Sequence, residues 1–533
     1  MADTEQQPEQ PGGAELRRDV SVWGSYMWGF ADVGADTYVA LGLVMAYAQG
    51  ATGLAFGLAG LVYIMIGLAY TELASAYPVA GGGQYFTLRG LGDFWGFVAG
   101  SALLLDYTID IALFAVACAG YVNFFLPYLF GVSIGAFSVD LGPFRDVRWL
   151  WALETVVLIL VLVWLNVRGI KESSRLNEII GVVVIATEAG LIIFGFLAAW
   201  RPEILAWQWR TQFPSLYNFM YGSSLAIISF VGLESISQAA QETRRPATIV
   251  PRTSITLIFT VFIFATAFST LGLGMQLDPH RPSWQVLGAA QDNPVAVLAT
   301  GIPVIGLVAG PFAAALGAMI LLISANSGVM SASRLTFSMS QFSFISRWFN
   351  AVHPKYRTPV RTIVVFSGIG IIEALLAFLT GPKAMDTLGN MYAFGATTGY
   401  ILVFIALIRL RFSDPYTPRP YRMPLNLRIR SREGPARQFP VLGVLGMLGV
   451  ATILFMVVLT HTIGRIAGPA WILLSFLAYA AFRRKAGFPV LGSLPRNWER
   501  QQMEVLESAE EYDLLEQYRN ALAERDRRRR PAR

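Results

Sequence analysis

Asp32 and Asp36 stand four residues apart around Gly34 in the apolar run GFADVGADTYVALG, residues 29–42. A second pair with the same spacing, Asp106 and Asp110, lies in LLLDYTIDIALFA. Glu234 follows Gly232 by two positions in SSLAIISFVGLESISQAAQE, and Glu188 sits in a further apolar run. Charge inside a bilayer is costly and marks a substrate, ion or proton path. A four-residue spacing puts both acids of a pair on one helix face. Such acids can meet a positively charged group, and a carboxyl shielded from water can bind and release a proton during turnover. The structural alternatives are a buried Asp106 or Asp110 satisfied by a neighbouring hydroxyl or amide, and a Glu188 that pairs with another helix.

The glycines near these acids matter as much as the acids. Gly24, Gly29, Gly34 and Gly42 weaken a helix around the first pair, and Gly232 weakens a second helix beside Glu234. Broken membrane helices offer N–H groups to anions and C=O groups to cations near the bilayer midplane. The alternative role of a membrane glycine is close helix packing, which is the reading adopted for Gly57, Gly60 and Gly67.

The elements that must carry these residues follow from composition. The chain has 533 residues, 54% hydrophobic and 14% charged, with a mean hydropathy of +0.51. Soluble proteins are roughly 25% charged. Repeated apolar blocks of bilayer-spanning length predict an all-α membrane protein of about twelve transmembrane helices. The predicted limits are 22–48, 53–76, 94–126, 148–167, 177–200, 216–240, 253–276, 300–332, 360–380, 386–410, 440–461 and 465–482. Residues 1–21 read as a polar cytoplasmic tail without a signal-peptide core, 22–484 as the transmembrane domain, and 485–533 as a charged helical cytoplasmic tail. That last tail reads as a solvated helix, with a regulatory or lipid-contacting role for RDRRRR as the alternative.

One set of loops is rich in basic residues: Arg168, Lys171 and Arg175; Arg244, Arg245 and Arg252; Arg347, Lys355, Arg357 and Arg361; and Arg411, Arg419, Arg422, Arg428, Arg430, Arg432 and Arg437. The positive-inside rule then places both termini in the cytoplasm of a cell-membrane protein. The net charge of +6 is assigned to these loops and not to nucleic-acid binding. A single cysteine, Cys118, and three histidines far apart in sequence predict no metal site and no cofactor. No Walker, HExxH or GxSxG motif is present, so neither ATP-driven transport nor an enzyme is expected.

Several stretches resemble the amino acid–polyamine–organocation (APC) transporters. VGADTY is similar to that family's first-helix break. ELASAYPVAGGGQY (72–85) resembles its second-to-third-helix signature, and FVGLESISQAAQETRRPATIVPR (230–252) its sixth-helix signature. NSGVMSASRLTFSMS with HPKYRTP, and then RPYRMP, resemble later signatures in the family's order. The resemblance implies a LeuT-like five-plus-five inverted repeat with two extra helices. It also implies a central site between helices one, three, six and eight. A substrate carboxylate would meet N–H groups after the first break, and its ammonium the carbonyls of both breaks. One departure stands out. The family's Gly-x-Gly becomes Gly34-Ala35-Asp36, and a carboxylate there repels a substrate carboxylate unless it is protonated or turned away.

These readings give a substrate site built from Asp32, Gly34, Ala35, Asp36, Tyr38, Asp106, Tyr107, Phe230, Gly232 and Glu234. Phe230 is either an aromatic gate or ordinary packing. Glu188, one turn beyond Val184 on the fifth helix, is the candidate proton carrier. The expected function is secondary active transport of an amino acid, coupled to protons, by alternating access. A second reading keeps the fold and moves a cation such as potassium or a polyamine. A third, a non-transporting receptor or scaffold, rests only on the charged tail.

Overall fold

The computed structural model of the chain describes residues 22–169, 173–238, 240, 243, 245–429 and 437–529. The predicted N-terminal tail, Lys171, Arg244, Arg430 and Arg432 lie outside the described residues.

Eleven helical runs among the described residues are long and apolar enough to cross a bilayer. The first, Val22–Ala76, has 55 residues, about 80 Å at 1.5 Å per residue and more than twice a hydrocarbon core. It turns at Gln49–Ala51 and so holds two crossings. The chain is therefore an all-α, multi-pass integral membrane protein, with twelve crossings among the described residues. Leu153, Leu160 and Trp164 on the fourth crossing, and Leu473, Leu474 and Leu477 on the twelfth, point outwards. In water such faces would form an intolerable apolar patch, but against lipid tails they are matched.

The first crossing is split into Val22–Val33 and Asp36–Ala48. The second is Thr52–Ala76, the third Asp93–Asn123, the fourth Trp149–Arg168 and the fifth Ser173–Ala198. The sixth is split into Leu216–Leu225, a tight turn Ala226–Phe230, and Glu234–Gln238. The remaining six are Pro246–Gly274, Gly306–Gln341, Val360–Phe378, Ala384–Ser413, Val441–Thr460 and Gly464–Lys485.

The two halves correspond. Each begins with a broken helix. Each places short extra helices between its second and third members: Gly83–Leu91 in the first half, Ser283–Ala289 and Pro294–Thr300 in the second. Five crossings is an odd number, so the second set enters the bilayer from the opposite side. The third crossing runs through the centre, packed against the eighth and tenth. The most apolar part of its run is 78% buried, against 11% for the twelfth crossing. Two short antiparallel hairpins are also present, Ser138–Leu141 with Phe144–Arg148 and Asn426–Ile429 with Arg437–Pro440.

Two predicted limits move furthest. The seventh crossing begins at Pro246 and not at 253, because Pro246 fills the first helical position, where a missing N–H costs nothing. The eighth runs on to Gln341 and not to 332, since its polar end SASRLTFSMS stays helical beyond the apolar core. The C-terminal tail is also corrected. It forms two helices, Trp498–Ser508 and Tyr512–Arg529, that dock on the membrane domain, with Gln502, Leu506, Glu511, Leu515 and Tyr518 buried.

Candidate functional site

Two local rules make the breaks. At the first, the Gly34 N–H still donates to Phe30 O at 2.8 Å. A Cβ on Gly34 would lie 2.5 Å from that same oxygen, so only glycine closes the turn. At the sixth, Val231 is extended and Gly232 has φ +107°, a conformation that glycine alone adopts freely. A Cβ on Gly232 would lie 3.0 Å from Asp32 Cγ and Oδ2. The two breaks therefore touch, and Asp32 is the contact.

Five carboxylates gather around this junction. Asp32, in the last turn of the first half-helix, accepts from Ser324 Oγ of the eighth crossing at 3.4 Å. Asp36 opens the second half-helix, where the positive end of the helix dipole favours an anion. Neither Asp36 oxygen has a hydrogen-bond partner. Asp106 lies within hydrogen-bonding reach of Glu234, and no N–H or hydroxyl donates to either of its oxygens. Asp110 accepts from the Tyr392 hydroxyl at 3.2 Å and lies against Gly328 of the eighth crossing, where a Cβ would be 2.6 Å from its Oδ2. Glu234 Oε2 accepts from the Gly232 N–H at 3.2 Å and the Tyr400 hydroxyl at 3.0 Å, while Oε1 is free.

All five acids are at most 6% exposed. Among the described residues none is paired with arginine or lysine. Nor do three of them converge closely enough to hold a metal ion.

The other sequence candidates fall in different places. Gly34, Ala35 and Gly232 form the breaks themselves. Tyr38 is turned towards Tyr121, with ring centroids 5.7 Å apart, and its backbone oxygen accepts from the Tyr121 hydroxyl at 3.0 Å. Glu188 is fully buried beside the Tyr38 phenol and apart from the five. Its Oε1 is unpartnered. Tyr107 is buried on the third crossing, about 100° round the helix from Asp106. The Phe230 ring stacks on Tyr63 at 5.1 Å and meets Phe56 edge-on at 6.4 Å, both on the second crossing.

Sequence reasoning missed the hydroxyls that hold the cluster: Tyr392 and Tyr400 on the tenth crossing and Ser324 on the eighth. A signal existed for the tyrosines. They stand eight residues apart in YAFGATTGY, which places them on one helix face. Tyr63, near Asp36 and Glu234, gave none.

Comparison with known proteins bears on this architecture. Residues 21–481 match the profile of a family described as amino acid permease. The branched-chain amino acid permease BcaP of Bacillus subtilis is 26% identical over 482 residues, covering 89% of this chain and 95% of that protein. The methylthioribose transporter of the same organism is 26% identical over 424 residues, 78% of this chain and 86% of that one. Human cationic amino acid transporter 4 is 25% identical over 403 residues, 73% of this chain and 59% of its own length. These relatives are membrane transporters, and the profile spans both broken helices and every acid of the cluster. The chain belongs to the amino acid permease family of the amino acid–polyamine–organocation superfamily.

Proposed function

We propose that this permease is a secondary active transporter of an amino acid, taken up with protons through a site at the junction of the first and sixth crossings. One observation carries the reading: five buried carboxylates meet at the two breaks without a basic partner. Charge buried without compensation is strongly unfavourable. A substrate ammonium, protons, or both supply the missing positive charge. The unpartnered oxygens of Asp36, Asp106 and Glu234 are the acceptors for that ammonium. All five acids are buried, so passage needs the helices around them to move alternately towards each face. With the basic loops inside, both termini and the tail helices lie in the cytoplasm of a cell-membrane protein.

Glu188 is the proposed proton carrier. It is buried near the second half of the first crossing and separate from the substrate acids, so its protonation can bias that half-helix through Tyr38 without competing for substrate. Glu188→Gln keeps size and hydrogen bonding but cannot ionise. The expected outcome is retained substrate binding and exchange, with loss of most stimulation by an inward proton gradient. Unchanged pH dependence in this variant would move the coupling site to Asp36 or Asp106.

The direct test is uptake into proteoliposomes of labelled arginine, lysine, leucine and putrescine under an imposed proton gradient, followed by the rest of the common twenty. Concentrative uptake of an amino acid is expected, and no flux for any of them removes this reading. The second reading, a cation or polyamine, is favoured by Asp36, whose two oxygens have no hydrogen-bond partner, and by Asp106, to which no N–H or hydroxyl donates. Flux of putrescine or potassium with no amino acid flux would select it.

A further inference from the structure

The segment from Arg483 to Leu515 caps the ends of three crossings. At the second, Gln502 Nε2 donates to Ala76 O, a C-terminal carbonyl, at 2.9 Å. At the seventh, Pro246 has no N–H and Arg245 gives no side-chain cap. The first available donor is Ala247 N–H, and Glu511 Oε1 accepts from it at 3.1 Å. At the third, Asp93 N–H donates to Ser493 Oγ at 3.1 Å. The Asp93 carboxylate receives Arg483 at 3.2 Å and Arg496 as well. Arg496 also donates to Phe342 O, just past the eighth crossing, at 3.2 Å. Helix ends leave N–H and C=O groups without intrahelical partners, and buried ones need another source. Here the tail is that source, and Gln502 and Glu511 are buried in doing it.

The capped helices belong to two packed groups. The second and seventh crossings pack on each other, and the seventh also packs on the first half of the first crossing. The third packs on the eighth, ninth and tenth. The tail is thus fastened to both groups at one end of the molecule. Its apolar contacts are those of Leu506, Leu515 and Tyr518 with Met503, Leu514, Leu522 and Tyr416, and of Trp498, whose ring meets Tyr85 edge-on at 6.4 Å. The rest of the attachment is through hydrogen bonds and ion pairs, which water can replace when the tail leaves.

We propose that the C-terminal helices are a latch that clamps the two helix groups together at the cytoplasmic end, so that the path from the carboxylate cluster to that end opens only when Gln502 and Glu511 let go. The proposal rests on the alternating-access reading and adds to it a built-in restraint on one of the two openings.

The test uses the full-length chain with Cys118→Ser and a reporter, Ser237→Cys, which is buried in the cytoplasmic half of the sixth crossing. The N-ethylmaleimide labelling rate is measured with and without Gln502→Ala plus Glu511→Gln. The double variant is expected to label roughly tenfold faster, from the loss of two buried hydrogen bonds. In a second protein, carrying Cys118→Ser, Ala76→Cys and Gln502→Cys, a reducible bifunctional thiosulfonate should stop uptake of the substrate identified above, and dithiothreitol should restore it. Equal labelling rates in a folded double variant would overturn the latch, as would full transport by the cross-linked chain. If the double variant does not fold, the cross-link decides. Faster labelling with no flux in any chain would support the latch while removing the transport reading.

Discussion

Two groups of buried or half-buried acids in this molecule are treated in opposite ways. At the tail-bearing end, Glu72 receives both Arg411 Nε and Nη2 at 2.5 Å, and accepts from the Met423 N–H at 2.9 Å. Arg419 adds a further charge at 3.6 Å. Asp414 takes Arg89 at 2.7 Å and the Thr417 hydroxyl at 2.8 Å. At the centre, neither Asp36 oxygen has a hydrogen-bond partner, and Asp106 meets only another acid, Glu234. An acid whose lone pairs are filled by its own chain has a structural task. An acid left empty where water is excluded is costly, and persists where something else fills it.

Breaking the comparison at its satisfied side gives the largest effect. Glu72→Gln leaves Arg411 buried without a counter-charge, and loss of one partner of such a pair costs about 3–5 kcal/mol. A large fall in melting temperature in detergent is expected, with poor expression. A neutral result would mean that the fork is dispensable.

The unsatisfied side should respond in the reverse sense. Asp36→Asn and Asp106→Asn remove charges that no protein group compensates, so thermal stability is expected to hold or rise. Transport should fall about tenfold or more, equivalent to about 1.4 kcal/mol of lost interaction. A variant that loses stability and keeps transport would show that its acid belongs with Glu72.

The smallest effect concerns Asp414, just past the end of the tenth crossing. Burial pushes its carboxyl up, but the Arg89 charge and hydrogen bond, with Thr417, outweigh this and hold it below the usual carboxylate range. A carboxyl lowered by folding stabilises the native state above its unfolded value near 4. That contribution is lost as pH falls through the folded value. Melting curves from pH 5 to pH 3 should therefore drop more steeply for the native chain than for Asp414→Asn. Parallel curves would show that the Arg89 pair contributes nothing.

The comparison also explains the sequence motifs. ELASAYP and RPYRMP supported family membership, and the structure gives them an architectural use: Glu72 of the first binds Arg411 and reaches Arg419 and Met423 around the second. GADTY and GLES carry the breaks and the open acids. Both kinds of motif stood out equally in the sequence, because a string of residue types does not say which acids find arginines. The Glu72–Arg411 pair spans 339 positions, and no local pattern reports it. The same holds for the tail. Its charged composition read as solvated, yet Gln502 and Glu511 are buried because distant helix ends need caps.

The sequence alone determined the twelve crossings, because bilayer thickness sets the length of an apolar run. It also determined where the first and sixth helices break, because Gly34 and Gly232 occupy backbone positions that a Cβ would block. Tertiary structure alone decided that the two breaks touch through Asp32, that Tyr392, Tyr400 and Ser324 hold the cluster, and that Glu188 stands apart beside Tyr38. It also decided that Phe230 stacks on Tyr63 and that the tail caps the second and seventh crossings. Backbone conformation and hydropathy act over a few residues, so they are written locally. Pairing between helices depends on the packing of segments hundreds of residues apart, and only the folded chain specifies it.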